Sequence, residues 1–133
     1  ATGKKPYFVI ARFAREYIDA NRPPEVAYEH KDAKPVYDAY HAALTDHCKA
    51  VKKRFGRGLL IDVHGQGMSK ETIYRGTQNG MTVKLLRDRF GEKAHTGPKS
   101  LFGLLAAEGC KVHPADLTGA EQREYGGGYI VRT

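Results

Sequence analysis

Long apolar runs are missing from this 133-residue sequence. No stretch approaches the roughly 18 apolar residues of a membrane-spanning helix, and the expectation is a soluble protein with no membrane partner. No signal peptide is read either. The basic start Ala1-Thr2-Gly3-Lys4-Lys5 precedes only a short apolar stretch, without a small-residue cleavage site, which points to a cytoplasmic setting. Cysteine is scarce: Cys48 and Cys110 lie far apart, match no metal or disulfide-framework spacing and read as small buried hydrophobes. There is no internal repeat, no low-complexity tract and no recognised nucleic-acid motif. Ser69 and Ser100 stand outside any G-x-S-x-G elbow, which argues against a serine esterase.

What is present is ordinary globular material, 41% hydrophobic and 28% charged, in a length that suits one domain and one core. The net charge of +7 would steer an acidic small substrate or a nucleic acid equally well. The one basic cluster, Lys49, Lys52, Lys53, Arg54 and Arg57, falls at the end of a predicted helix. Cations there favour the helix dipole, so the cluster reads as structural and nucleic acid is not expected as a partner.

The apolar run from Pro6 to Ala11 has the length and β-branched content of a strand buried on both faces. Residues Arg12 to Lys34, with Asn21-Arg22-Pro23-Pro24, read as a long loop. From Pro35 to Phe55, Val36, Tyr37, Tyr40, Leu44, Cys48, Val51 and Phe55 recur every three or four positions. That spacing predicts a helix, with Pro35 in its first turn and Gly56 as its cap. Gly58 to Val63 follows as a predicted central strand, and a helix handing over to such a strand indicates an α/β fold with a parallel sheet. Further strands are predicted at Thr72 to Arg75, Cys110 to His113 and Tyr129 to Arg132. Helices are predicted over Met81 to Phe90 and Pro98 to Glu108, stopped by Gly91 and Gly109. The chain begins and ends beside strand-like stretches, so it reads either as a piece of a longer domain or as one that completes itself by self-association, as a homo-oligomer.

Chemistry concentrates where the predicted central strand ends in Asp62-Val63-His64-Gly65. Two residues apart on a strand, Asp62 and His64 leave the same face. The imidazole can bind a metal while the carboxylate orients it or shares the ion. The plainer alternative is a hydrogen-bonded histidine beside a loop-capping aspartate. Three glycines between Glu124-Tyr125 and Tyr129 can offer backbone amides to a carboxylate or oxyanion, or simply form a turn. Arg75, beside Gly76-Thr77-Gln78-Asn79-Gly80, is a plausible fork for a substrate carboxylate. His41 beside Tyr40 reads as a packing histidine, while His30, His47, His95 and His113 find no partner at metal-binding spacing.

Ala11-Arg12, Ile18-Asp19-Ala20-Asn21-Arg22, Tyr40-His41, Leu60-Ile61-Asp62-Val63-His64-Gly65, Arg75-Gly76-Thr77 with Asn79-Gly80, and Tyr125-Gly126-Gly127-Gly128-Tyr129-Ile130 together resemble the N-formylglutamate amidohydrolase family. Order and approximate spacing agree across nearly the whole chain. The resemblance implies a three-layer α/β fold like that of the zinc carboxypeptidases, a mainly parallel or mixed sheet flanked by helices, in which one zinc or another divalent ion activates water against an amide carbonyl. His64 matches the metal-binding histidine, with Asp62 beside it. Asn21 and Arg22 match an element near the site, and Gly127 and Tyr129 match a segment bordering a substrate that bears a carboxylate. The family's upstream HGG-type segment and downstream general-base acid have no counterpart in these residues, leaving Glu124 or Glu121 as stand-ins for the base. The chain then reads as the middle of a metal-dependent amidohydrolase. The alternatives are a small hydrolase or esterase with a different mechanism, and a non-catalytic basic binding module.

Overall fold

The computed structural model describes residues 5–132. It has α-helices α1 (Lys34–Phe55), α2 (Lys84–Phe90), α3 (Lys93–Thr96) and α4 (Leu101–Ala107), and strands β1 (Thr72–Tyr74) and β2 (Lys111–His113). This is a small α/β chain with a two-stranded parallel sheet. Where the sequence suggests one core, the chain forms two compact units whose boundary falls between Asp62 and Val63.

The first unit is a long loop folded onto one helix. Pro35 lies in the first turn of α1, where its missing N–H costs nothing, and Gly56 caps the other end in the left-handed conformation (φ 70°), its amide reaching Lys52 O at 2.8 Å. The loop buries Ile18 and Ala27 against Tyr37, with Phe13, Tyr28 and Ala33 packed around them. The covered face of α1 differs slightly from the predicted stripe. Tyr37, Tyr40, His41, Leu44, His47 and Val51 are at least half-buried, whereas Val36, Cys48 and Phe55 are exposed. The expected burial of Cys48 is therefore wrong, because His47 takes the inward position and makes an edge contact with Tyr7.

In the second unit β1 and β2 pair in register, Thr72 with Lys111, Ile73 with Val112 and Tyr74 with His113. The intervening α2, α3 and α4 supply the crossover that a parallel pair needs. Ser100 caps α4 through its side chain, which accepts from the amide of Gly103.

Three predicted strands do not form. Residues 6–11 and 58–63 are irregular and have no ladder partners, and Tyr7, Phe8, Ile10, Leu59, Leu60, Ile61 and Val63 are exposed. Residues 129–132 turn instead of extending. Apolar, β-branched composition states a preference for burial, but a strand also needs a neighbour, and the only ladder among the described residues is β1–β2. No helix among the described residues is long and apolar enough to cross a membrane.

Candidate functional site

Within the first unit, the Asp19-Ala20-Asn21-Arg22 segment is a tightly tied turn held on α1. Asp19 Oδ1 accepts from the amide of Asn21 (3.1 Å), and Oδ2 accepts from Arg15 Nη2 (2.9 Å) and lies 3.0 Å from Arg22 Nε. Burial pushes this carboxyl upward, but the Arg15 and Asn21 hydrogen bonds and the two guanidinium charges outweigh it and hold Asp19 below the usual carboxylate range. The turn is anchored by the Tyr37 hydroxyl, which donates to Arg22 O (2.8 Å), and by His41 Nε2, 3.0 Å from Ala20 O. A carbonyl oxygen only accepts, so His41 Nε2 carries the proton. His41 is thus the packing histidine expected of it, 4.3 Å from the Tyr37 ring centre to centre.

Asp62 closes the first unit, half-buried. Burial, followed by the charge of Asp62, raises the Tyr40 phenol above its ordinary value. His64 is exposed, just inside the second unit, in irregular chain and not at the rim of a central strand. Among the described residues no three His, Cys, Asp or Glu side chains come close enough to hold a metal ion. The donors at Asp62 and His64 therefore fall short of the usual three-ligand catalytic site.

The densest chemistry lies in the second unit. Just after β1, residues Thr77 to Gly80 form a turn in which Gln78 (φ 52°) and Asn79 (φ 54°) are both left-handed. Such backbone is costly for residues with a Cβ, and Glu121 holds it in place. Its carboxylate accepts from the amides of Thr77 (2.8 Å) and Asn79 (3.0 Å) and from the Thr77 hydroxyl, while Asn79 Oδ1 accepts from the Glu121 amide (2.9 Å). Arg75 completes the cluster. Its Nε donates to Glu121 Oε1 at 2.7 Å, and its other nitrogens donate to the carbonyls of Leu117 and Gly119.

Both charged side chains are almost fully buried, 2% exposed for Arg75 and 1% for Glu121. Burial pushes the Glu121 carboxyl up, yet the hydrogen bonds from Thr77, Asn79 and Arg75 prevail and keep it below its ordinary value. The expectation that Arg75 offers a fork to a substrate carboxylate is thus corrected: the guanidinium is turned inward and committed to Glu121. The same contacts correct Glu121 as a stand-in for the general base, since a carboxylate held ionised by so many donors takes up a proton poorly. Glu124 lies exposed in the short 3-10 turn Arg123–Tyr125.

The glycine-rich segment packs directly on this turn. Gln78 N donates to Gly126 O at 2.7 Å, and Tyr125 stacks on Tyr74 with 4.5 Å between ring centres. A Cβ on Gly76 would strike Tyr125 O and lie 2.9 Å from Gly127 N; one on Gly127 (φ 108°) would lie 2.9 Å from Gly76 O. Both glycines are required because two backbones touch here. Arg132 Nη2 donates to Gly127 O (2.9 Å), and Tyr129 is half-buried alongside. An open depression of about 440 Å³ in this unit is lined by Met81, Lys84, Arg87, Asp88 and Glu92, none of them singled out by the sequence.

Sequence reasoning missed the tie between Thr77, His95 and Glu121. His95 is 5% exposed, and its Nε2 lies 2.9 Å from Thr77 Oγ1. The one signal available was the coincidence of a turn-forming Thr with an unassigned histidine, 18 residues apart. No protein-family model matches the chain, and no curated protein or solved structure matches it either.

Proposed function

We propose that this chain contributes to a metal-dependent hydrolase that cleaves an amide next to a carboxylate-bearing group, as in N-formylglutamate, on a three-layer fold similar to that of the zinc carboxypeptidases. The reading rests on the series of resembling motifs. One observation carries it: two segments of that series, Arg75 to Gly80 and Tyr125 to Tyr129, interlock through Gly76 and Gly127 although they are far apart in sequence. Both segments belong to the second unit, and their contact places two loops of the series side by side.

In this reading His64 supplies a metal ligand and Gly127 and Tyr129 border the substrate. The roles expected of Asp62, Asn21 and Arg22 belong to the same proposal. The chemistry a bound divalent ion supplies is activation of water. Because the donors of the described residues stop short of three, no step is routed through the ion. What the chain itself contributes is a rigid glycine-rich backbone, clamped by Arg75 and Glu121, whose amides can meet a carboxylate or an oxyanion.

The test is zinc content after dialysis together with hydrolysis of N-formyl amino acids and simple esters, for the wild type and His64→Ala. The expected result is zinc binding and hydrolysis that both disappear in the variant. A protein that binds no zinc, with hydrolysis unchanged by His64→Ala, overturns the reading.

A further inference from the structure

His95, in the four-residue helix α3, is buried against the turn after β1, and the protons of its neighbours can be placed from chemistry alone. A carboxylate only accepts, so the Thr77 hydroxyl gives its single proton to Glu121. The Thr77 oxygen then accepts from the Gly80 amide (3.0 Å) and from His95, which fixes the ring proton on Nε2. Nδ1 is left as a buried lone pair that no donor among the described residues reaches. Glu92 Oε1 stands 3.8 Å from it, itself an acceptor, while the other oxygen of Glu92 takes Arg87 Nε at 2.7 Å. Nδ1 thus has a carboxylate beside it and no use for it until it gains a proton.

We propose that His95 is an acid-responsive lock on the loops of the second unit: a proton at Nδ1 creates a buried imidazolium beside Arg75, sets the ring in competition with Arg87 for Glu92, and so weakens the seating of α3 against the Thr77 to Gly80 turn. The groups that face the ring act in both directions. Burial comes first among the effects that disfavour the cation, joined by Arg75 and Arg87; Glu121 and Glu92 favour it, and the balance keeps His95 below its ordinary value. A histidine lowered in the fold contributes its full stability above the unfolded value of about 6.5. That stability is lost as pH falls from there toward the folded value. Glu121 stays ionised throughout this window, so a loss there belongs to the imidazole.

The experiment is thermal unfolding between about pH 7.5 and 5.5, the range in which only histidine ordinarily titrates, with NMR of the His95 ring nitrogens. The wild-type midpoint is expected to fall by roughly 4–8 °C. His95→Gln, which keeps an N–H near the Nε2 position and cannot titrate, should show little of that fall. The ring should be the Nε2–H tautomer at neutral pH, and Glu92→Gln should move its titration to lower pH. A flat wild type, an equal fall in a folded His95→Gln, or an Nδ1–H ring overturns the proposal. If His95→Gln does not fold, the wild-type nitrogen shifts decide: titration below that of a free histidine supports the lock, and titration at or above it sinks it.

Discussion

The two units bury different things. The first closes over Ile18, Ala20, Ala27 and Tyr37, and the polar atoms that α1 turns toward this core, the Tyr37 hydroxyl and His41 Nε2, meet the backbone carbonyls of Arg22 and Ala20. The second buries Val112 and Ile130 but also four polar residues, Arg75, Thr77, His95 and Ser100, with the Glu121 side chain beside them. An apolar interior tolerates a change of shape at the cost of the area or cavity involved. A polar interior is satisfied only while each partner is present, because removing one strands the others away from water. The first unit should therefore yield gradually to substitution, and the second abruptly.

The sharpest way to break this contrast is Glu121→Ala, which leaves the Arg75 guanidinium buried without its counter-charge. A loss of about 3–5 kcal/mol is expected in the second unit. Peptide-resolved hydrogen exchange should show protection vanishing over residues 76–80 and 126–128 but not over 18–41. Equal loss in both segments would mean that the units do not differ in this way. Tyr37→Ala removes the largest side chain of the described core of the first unit and should cost about 3 kcal/mol there, read by denaturant titration. Gly76→Ala forces a Cβ against the backbone of Tyr125 and Gly127, for roughly 1–3 kcal/mol of strain in the second unit. Tyr37→Phe, which deletes only the hydroxyl that reaches Arg22 O, should cost about 1 kcal/mol.

Acid sharpens the comparison from another side. Asp19 in the first unit and Glu121 in the second are both held below the ordinary carboxylate range. Each thus contributes stability that is present above its unfolded value and is lost as pH falls through its folded one. The Asp19 side chain is 14% exposed against 1% for Glu121, so solvent screens it more. In an acid titration followed by hydrogen exchange, residues 76–80 should lose more protection than residues 18–22.

What could be read in advance follows the same division between local and distant causes. Helix α1 was legible because Pro35, Gly56 and a three-four spacing are all local signals, and the short strands β1 and β2 fall inside the stretches Thr72 to Arg75 and Cys110 to His113 read as strands. The four residues of α3 are too few to show a period. The Arg75–Glu121 pair joins residues 46 apart, and nothing near either one names the other. Residues 6–11 and 58–63 were read as strands from composition, yet pairing depends on a neighbour that composition does not specify. At the candidate site, the turn at Thr77 to Gly80 and the glycines at 126–128 were recognisable as special backbone. That Glu121 would occupy the donors of Arg75 was not.

The contact between Gly76 and Gly127 is a seam with no slack. Because no side chain cushions it, neither segment can shift toward the other without a clash of backbone on backbone. The glycine-rich loop, the Thr77 turn and the imidazole of His95 thus form one unbroken line of contact, from Gly126 O to Gln78 N and from Thr77 Oγ1 to His95 Nε2.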